Sequence, residues 1–460
     1  MLALIEQRLV GNISQYERSI LRHGAVWFFL LLSYYIIRPI REQIGSTYGI
    51  ENLSWMFGAT FGVMLIAIPL YSILVGKFHR KKLVPSIYVF FVACLITFWL
   101  AMTRLPESWQ VSVASAFFVW VSVYGLFIVS FFWSVVSDML STAQGRRIFG
   151  IIAGGGTFGS MVGSQIAARF VEGIGVANLL LIPTVLLVCA LLVYLSMEKS
   201  FRLFKPETEQ NQGAGKATGG NPFAGFTAVF KSKYLFLIFL FTVFWATCAT
   251  TVYFQQAEIA EAAFADAPYE ASLIKDADSL DPEQLAAEHE KLQKAASSQA
   301  STKYFANVSF AASCVTMVFQ FFIVGWLMKN AGLGLTLAVL PMTYVIGISA
   351  LAFSPTLAVL AVVVVLGRSV EYGICNPARE VLFTAVNREE RYKAKSFIDT
   401  VVRRGGDSAS GGLYHAAREW MGVAMTTVSF VMIPVAVAWI GLSLFIGNEN
   451  RKKTQANEQT

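Results

Sequence analysis

Along the chain, long apolar blocks alternate with short polar breaks. A helix needs roughly 20 residues to cross a bilayer, and on that measure twelve blocks can be marked. Six lie at 23–47, 54–76, 83–102, 110–137, 148–172 and 177–197. Six more lie at 235–257, 304–328, 333–353, 356–384, 396–416 and 423–446. The pattern predicts an all-α membrane protein of twelve transmembrane helices in two six-helix bundles. Residues 1–199 form the first bundle, 200–233 a cytoplasmic linker, and 234–460 the second, with an extracytoplasmic insert at 258–303. The insert carries ten acids, among them Asp276, Asp278, Asp281, Glu283, Glu288 and Glu290. It reads as a solvated cap, helical around 282–298 by propensity.

Composition excludes a soluble alternative. Of 460 residues 55% are apolar and 14% charged, too few polar side chains to cover a water-facing surface. The cations then set orientation. Lys77, Arg80, Lys81, Lys82, Arg146, Arg147, Lys199, Arg202, Lys205, Arg388, Arg391, Lys393, Lys395 and Arg451 to Lys453 fall in one set of loops. The opposite short loops hold Arg104 and Arg418. Both termini are expected in the cytoplasm of a multi-pass chain in a bacterial inner (plasma) membrane. The net charge of +7 suits anionic headgroups and does not call for nucleic acid. The first 22 residues read as an amphipathic lead-in without a signal-peptide cleavage site. Cys94, Cys189, Cys248, Cys314 and Cys375 all lie in predicted spans, and the four histidines are scattered. No metal, cofactor or catalytic constellation is predicted. A monomer in the lipid bilayer is the working expectation.

Charge inside the spans changes the picture, because an ionisable group at membrane depth is costly without a partner or a wet cavity. In YYIIRPIREQIG the first span places Arg38, Arg41 and Glu42 on one helical face around Pro39. The tenth span, LGRSVEYGICNPAREVLF, holds Arg368 and Glu371 three apart, then Tyr372 and Asn376. Arg368 falls near the bilayer midplane, where an Arg368 to Glu371 pair is the plain structural alternative to solute binding. The eleventh span carries Arg403, Arg404 and Asp407, and the fourth ends in Trp133, Ser134 and Asp138. Gly155, Gly159 and Gly163, spaced by four, predict a smooth stripe for close helix packing.

Some of these residues resemble a known family. Tyr372, Pro377, Glu380, Lys393, Ala394, Lys395, Ile398 and Asp399 are similar to the tenth and eleventh helices of the nucleotide transporters. These are the ATP/ADP translocases or NTP/NDP exchangers, a branch of the major facilitator superfamily. Arg38, Arg41 and Glu42 resemble its YxILRDxKD, and Gln144 to Phe149 its EAKRFY. The chain departs at Glu371, where the family carries lysine, at Cys375 to Arg379, and at Gln144. The resemblance implies a major-facilitator-like fold and secondary transport. The expected solute is an organic anion, a nucleotide or phosphorylated metabolite first, moved by exchange or ion coupling along a pathway between the halves. The expected lining is Arg38, Arg41, Glu42, Trp133, Asp138, Arg368, Glu371, Tyr372, Asn376, Arg403, Arg404 and Asp407. Proton-coupled efflux of an amphipathic compound is one alternative, and a non-transporting scaffold or sensor is another.

Overall fold

A computed structural model describes residues 23–78, 80–137, 142–204, 222–270, 274, 280–386, 394, 395 and 397–458, and no strand occurs among them. Asp138, Lys393, Asp276 and Asp278 lie outside the described residues, as do 205–221 of the expected linker. The helices are α1 (His23–Thr47), α2 (Gly49–Lys77), α3 (Arg80–Arg104), α4 (Glu107–Ser137), α5 (Thr142–Ile174), α6 (Leu181–Phe204), α7 (Pro222–Lys231), α8 (Lys233–Phe264), α9 (Pro282–Val318), α10 (Val324–Asn330), α11 (Gly332–Phe353), α12 (Leu357–Val370), α13 (Asn376–Thr384), α14 (Arg403–His415) and α15 (Met425–Glu458). Four π-helical turns interrupt the later ones, at Phe319–Ile323, Glu371–Cys375, Ile398–Val402 and Ala416–Trp420.

The punctuation has local causes. Asp281 caps α9 by accepting the Gln284 amide at 2.8 Å, with Pro282 in the first turn, where its missing N–H costs nothing. Thr356 caps α12 through the Val359 amide. Gly49 and Gly175 take φ of 78° and 79° at helix breaks, a conformation that a side chain disfavours.

Nine helical runs among the described residues are long and apolar enough to cross a membrane. The runs at 23–47, 142–174 and 398–420, which the sequence also marked as spans, are long but fall outside that set. Two of them bear the intramembrane ions singled out in the sequence.

The chain divides into two compact units. The first comprises Met1–Ile40 and Ala67–Gly219. In it the glycine stripe of α5 lies against the backbone of α1. A Cβ on Gly159 would meet the Phe28 carbonyl, and one on Gly163 the Leu32 carbonyl, closer than real atoms pack. Phe91, Phe117, Phe118 and Tyr124 are fully buried, and the Tyr124 hydroxyl shares a 2.8 Å hydrogen bond with Ser33.

The second unit comprises Arg41–Ile66 and Gly220–Thr460. Its core centres on Trp439, which packs on Phe241 and Tyr344 at ring separations of 5.3 and 5.9 Å. Gly334 and Gly447 let α11 and α15 touch backbone to backbone. The expected insert is mostly helix. α8 continues to Phe264, α9 starts at Pro282, and the Gln293 amide ties the connection by donating to the Ala265 and Ala267 carbonyls.

Candidate functional site

In the second unit the buried carboxylate of Glu42 pairs with Arg368, 326 positions away. Arg368 is the twelfth residue of α12 and lies about 17 Å along the helix axis at 1.5 Å per residue. Its Nη2 donates to Glu42 Oε1 at 2.8 Å, and its Nη1 reaches Ser309 Oγ at 3.4 Å. The other oxygen of Glu42 accepts from Gln256 Nε2 at 2.8 Å. The Glu42 side chain is 1% exposed and that of Arg368 13%, so water screens this pair little. A buried carboxylate with two charge-assisted or amide donors is well satisfied, and either partner left alone would be an uncompensated charge.

The three charged residues of the α1 segment part company. Arg41 donates to the Tyr253 hydroxyl at 3.4 Å and lies 5.7 Å from that ring's centre. Arg38, in the first unit, meets Tyr35 instead, at 3.3 Å to the hydroxyl. α1 runs unbroken through Pro39. Trp133, also in the first unit, packs against Trp27 and Phe132. Glu371 and Tyr372 open a π-helical turn whose Tyr372 carbonyl accepts from Gln320. Asn376 directly follows that turn.

A second group of ions gathers around Trp245 of α8, which is 4% exposed. The guanidinium carbons of Arg403 and Arg379 lie 4.0 and 5.1 Å from its ring centre, within cation–π range. Arg379 also pairs with Asp399 at 2.8 Å. Asp407 is divided: Thr250 donates to its Oδ1 at 3.2 Å, while Arg403 and Arg404 stand off at 3.7 and 3.6 Å, beyond good hydrogen-bonding distance. Trp245 Nε1, Arg379 Nε and Arg403 Nη1 are buried with no hydrogen-bond partner among the described residues, and the same holds for the acceptors Asn376 Oδ1 and Asp399 Oδ1. Each such orphan costs about 1–3 kcal/mol, so this is an expensive neighbourhood.

A third group joins α8 to the end of α14. Glu258 receives both Nε and Nη2 of Arg418 in a forked pair, and the Tyr414 hydroxyl donates to the same carboxylate.

Sequence reasoning singled out Arg368, Glu42, Arg41, Arg403 and Asp407 because charge in an apolar span is conspicuous. It passed over Gln256, Ser309, Tyr253, Thr250 and Trp245. The adjacent Gln255 and Gln256 in an otherwise apolar block were a usable signal; a tryptophan in such a block was not. Arg418 appeared as a loop cation, without its carboxylate partner.

No family model matches the sequence, and no curated protein matches it. Solved structures do resemble it in fold. A crystal structure of the nucleoside transporter NupG aligns over 96% of this chain and 99% of its own, with a TM-score of 0.55 and 14% identity. A second crystal structure, of a mutant of that transporter, aligns over 95% and 100%, with a TM-score of 0.57 and 13% identity. The chain therefore has the all-helical, major-facilitator-like membrane fold of such transporters.

Proposed function

We propose that the chain is a secondary transporter that moves an organic anion by exchange or ion coupling with alternating access. A nucleotide or phosphorylated metabolite is the first candidate. The observation that carries this reading is the Arg368 to Glu42 pair near the middle of a 28-residue helical run. A guanidinium held there by one carboxylate is a cation that a phosphate or carboxylate on a solute can claim by the same forked geometry. Glu42 is then the internal competitor that resets the site once the solute leaves. Arg41 would add positive potential, and the Tyr253 ring beside it suits a planar base.

The charge at Glu371 argues against the most highly charged nucleotides. The fold neighbour named as a nucleoside transporter supports a base-bearing solute, and a neutral nucleoside belongs in the same test. The working placement is a multi-pass monomer in a bacterial inner membrane with both termini cytoplasmic.

The deciding experiment is uptake into proteoliposomes of labelled ATP, ADP, AMP, a neutral nucleoside and small organic anions. Flux of an anionic solute that falls at least tenfold in Arg368→Gln supports the proposal. Normal flux in that variant rules out the role given to Arg368, and transport of neutral nucleoside alone rules out the anion.

A further inference from the structure

The unsatisfied groups around Trp245 are not spread at random. An indole N–H and one N–H from each of two arginines are left over beside a single ring, and all three belong to the second unit. These three are donors; the buried acceptors Asn376 Oδ1 and Asp399 Oδ1 also lack a hydrogen-bond partner among the described residues. The acidic groups facing the three donors are Asp399, committed to Arg379, and Asp407, shared between Thr250, Arg403 and Arg404. Glu371 is near enough to act on Arg403 electrostatically. None of these hydrogen-bonds the three leftover N–H groups in this conformation, although Asp399 keeps an unsatisfied oxygen. What the cluster lacks is one group with several oxygen lone pairs at short range, which describes a carboxylate or a phosphate.

A second observation is independent of the first. The π-helical turn Glu371–Cys375 ends immediately before the helix that carries Arg379, and the turn Ile398–Val402 ends immediately before Arg403. A π turn stores one extra residue, and such turns recur at functional sites. Relaxing one to α geometry rotates the residue after it by about 100° relative to the helix before it. Both arginines thus sit directly downstream of the places where their helices can change register. The donors are sealed in the conformation described, since each has next to no solvent-accessible surface.

We propose that Trp245, Arg379 and Arg403 form an oxyanion-binding site, closed in this conformation and opened by a register shift at the two π turns. It deepens the transport reading and rests on it only for the source of the anion: a second station that the solute's carboxylate or phosphate reaches separately from Arg368. Arg379 lies 11 residues beyond Arg368, about 16 Å along the same helical run, too far for one oxyanion to touch both.

The test uses the full-length protein in lipid nanodiscs, titrated with inorganic phosphate at constant ionic strength and followed by tryptophan fluorescence. The expected result is a saturable change that is absent in Trp245→Phe. Its half-saturating concentration should rise at least tenfold in Arg403→Gln, less in Arg403→Lys, and not at all in Lys329→Gln, a cation remote from the cluster in sequence. Monodispersity on gel filtration shows which variants are folded; should Arg403→Gln fail, Arg403→Lys and Trp245→Phe decide. An unchanged titration in Trp245→Phe, or in folded Arg403 and Arg379 variants, overturns the site. Flux of an organic anion without phosphate response at Trp245 also overturns the site and spares the transport reading. Phosphate binding at Trp245 without flux of any anion does the reverse.

Discussion

Neutralising Glu42 and Arg368 singly and together tests whether their pair is a tight, water-excluded contact. The N to O distance is 2.8 Å, which puts the charge centres about 4 Å apart. With an effective dielectric of about 20, their attraction is about 4 kcal/mol. Removing one member of a buried pair costs about 3–5 kcal/mol, because the survivor keeps its desolvation and loses its partner. Glu42→Gln and Arg368→Gln should each destabilise by about 3 kcal/mol. The double variant, with two amides able to bond one another, should lose far less than the sum, leaving a coupling of about 2 kcal/mol or more. SDS-driven unfolding in mixed micelles, read by tryptophan fluorescence, measures all four corners of the cycle. Effects that add to within about 0.5 kcal/mol would refute the contact as described. The same arithmetic reaches function. A solute that must displace Glu42 spends part of the roughly 4 kcal/mol, and recovering even a third of it, about 1.4 kcal/mol, is a tenfold gain in affinity. Glu42→Gln should therefore bind the anion at least tenfold more tightly while turning over more slowly. Weaker binding in that variant would mean that Glu42 helps to hold the solute.

Further outcomes follow from packing, capping and pairing. Gly159→Val drives a side chain into the Phe28 carbonyl and should cost about 1–3 kcal/mol or prevent folding, visible as loss of the monodisperse peak. Gly173→Ala, with nothing within 4 Å of the new methyl, should be neutral or slightly stabilising in the same assay. Asp281→Ala removes the α9 cap and should cost about 1 kcal/mol, seen as faster amide exchange over residues 282–290 with the rest unchanged. Arg418→Gln strands the Glu258 carboxylate and should cost about 2–3 kcal/mol, with Glu258→Gln in the same chain restoring most of it.

The helices were legible where lipid dictates them. The block at 333–353 matches α11 to a residue, and 356–384 matches the run from Leu357 to Thr384, since a bilayer requires apolar side chains and internally bonded backbone over the same stretch. The connection between the seventh and eighth blocks shows the limit of that signal. Hydropathy ended the seventh block at 257 and began the eighth at 304, yet α8 runs to Phe264 and α9 begins at Pro282. Hydropathy reports contact with lipid and is blind to a helix that continues into water. The start of α9 was nonetheless written in the chain as an aspartate followed by proline, a cap and first-turn pair that needs no bilayer to be read.

The site divides along a similar line. A charge in an apolar span announces itself, so Arg368 and Glu42 were both conspicuous, but their union was not, because Ser369 or Glu371 is as near in sequence as Glu42 is remote. Local spacing pointed to Glu371 as the partner for Arg368, whereas tertiary packing supplied Glu42, with Gln256 donating to the carboxylate and Ser309 accepting from the guanidinium. Trp245 carried no sequence signal at all. Its meaning arises only when two arginines from other helices stand over it with donors to spare, and the π turns that place them there break the 3.6-residue rhythm on which sequence reading depends. Polar chemistry in a membrane chain is thus announced residue by residue, whereas its pairing is a property of the packed unit. The glycines of α5 mark the intermediate case: Gly155, Gly159 and Gly163 declared a contact face, and only the fold named α1 as what fills it.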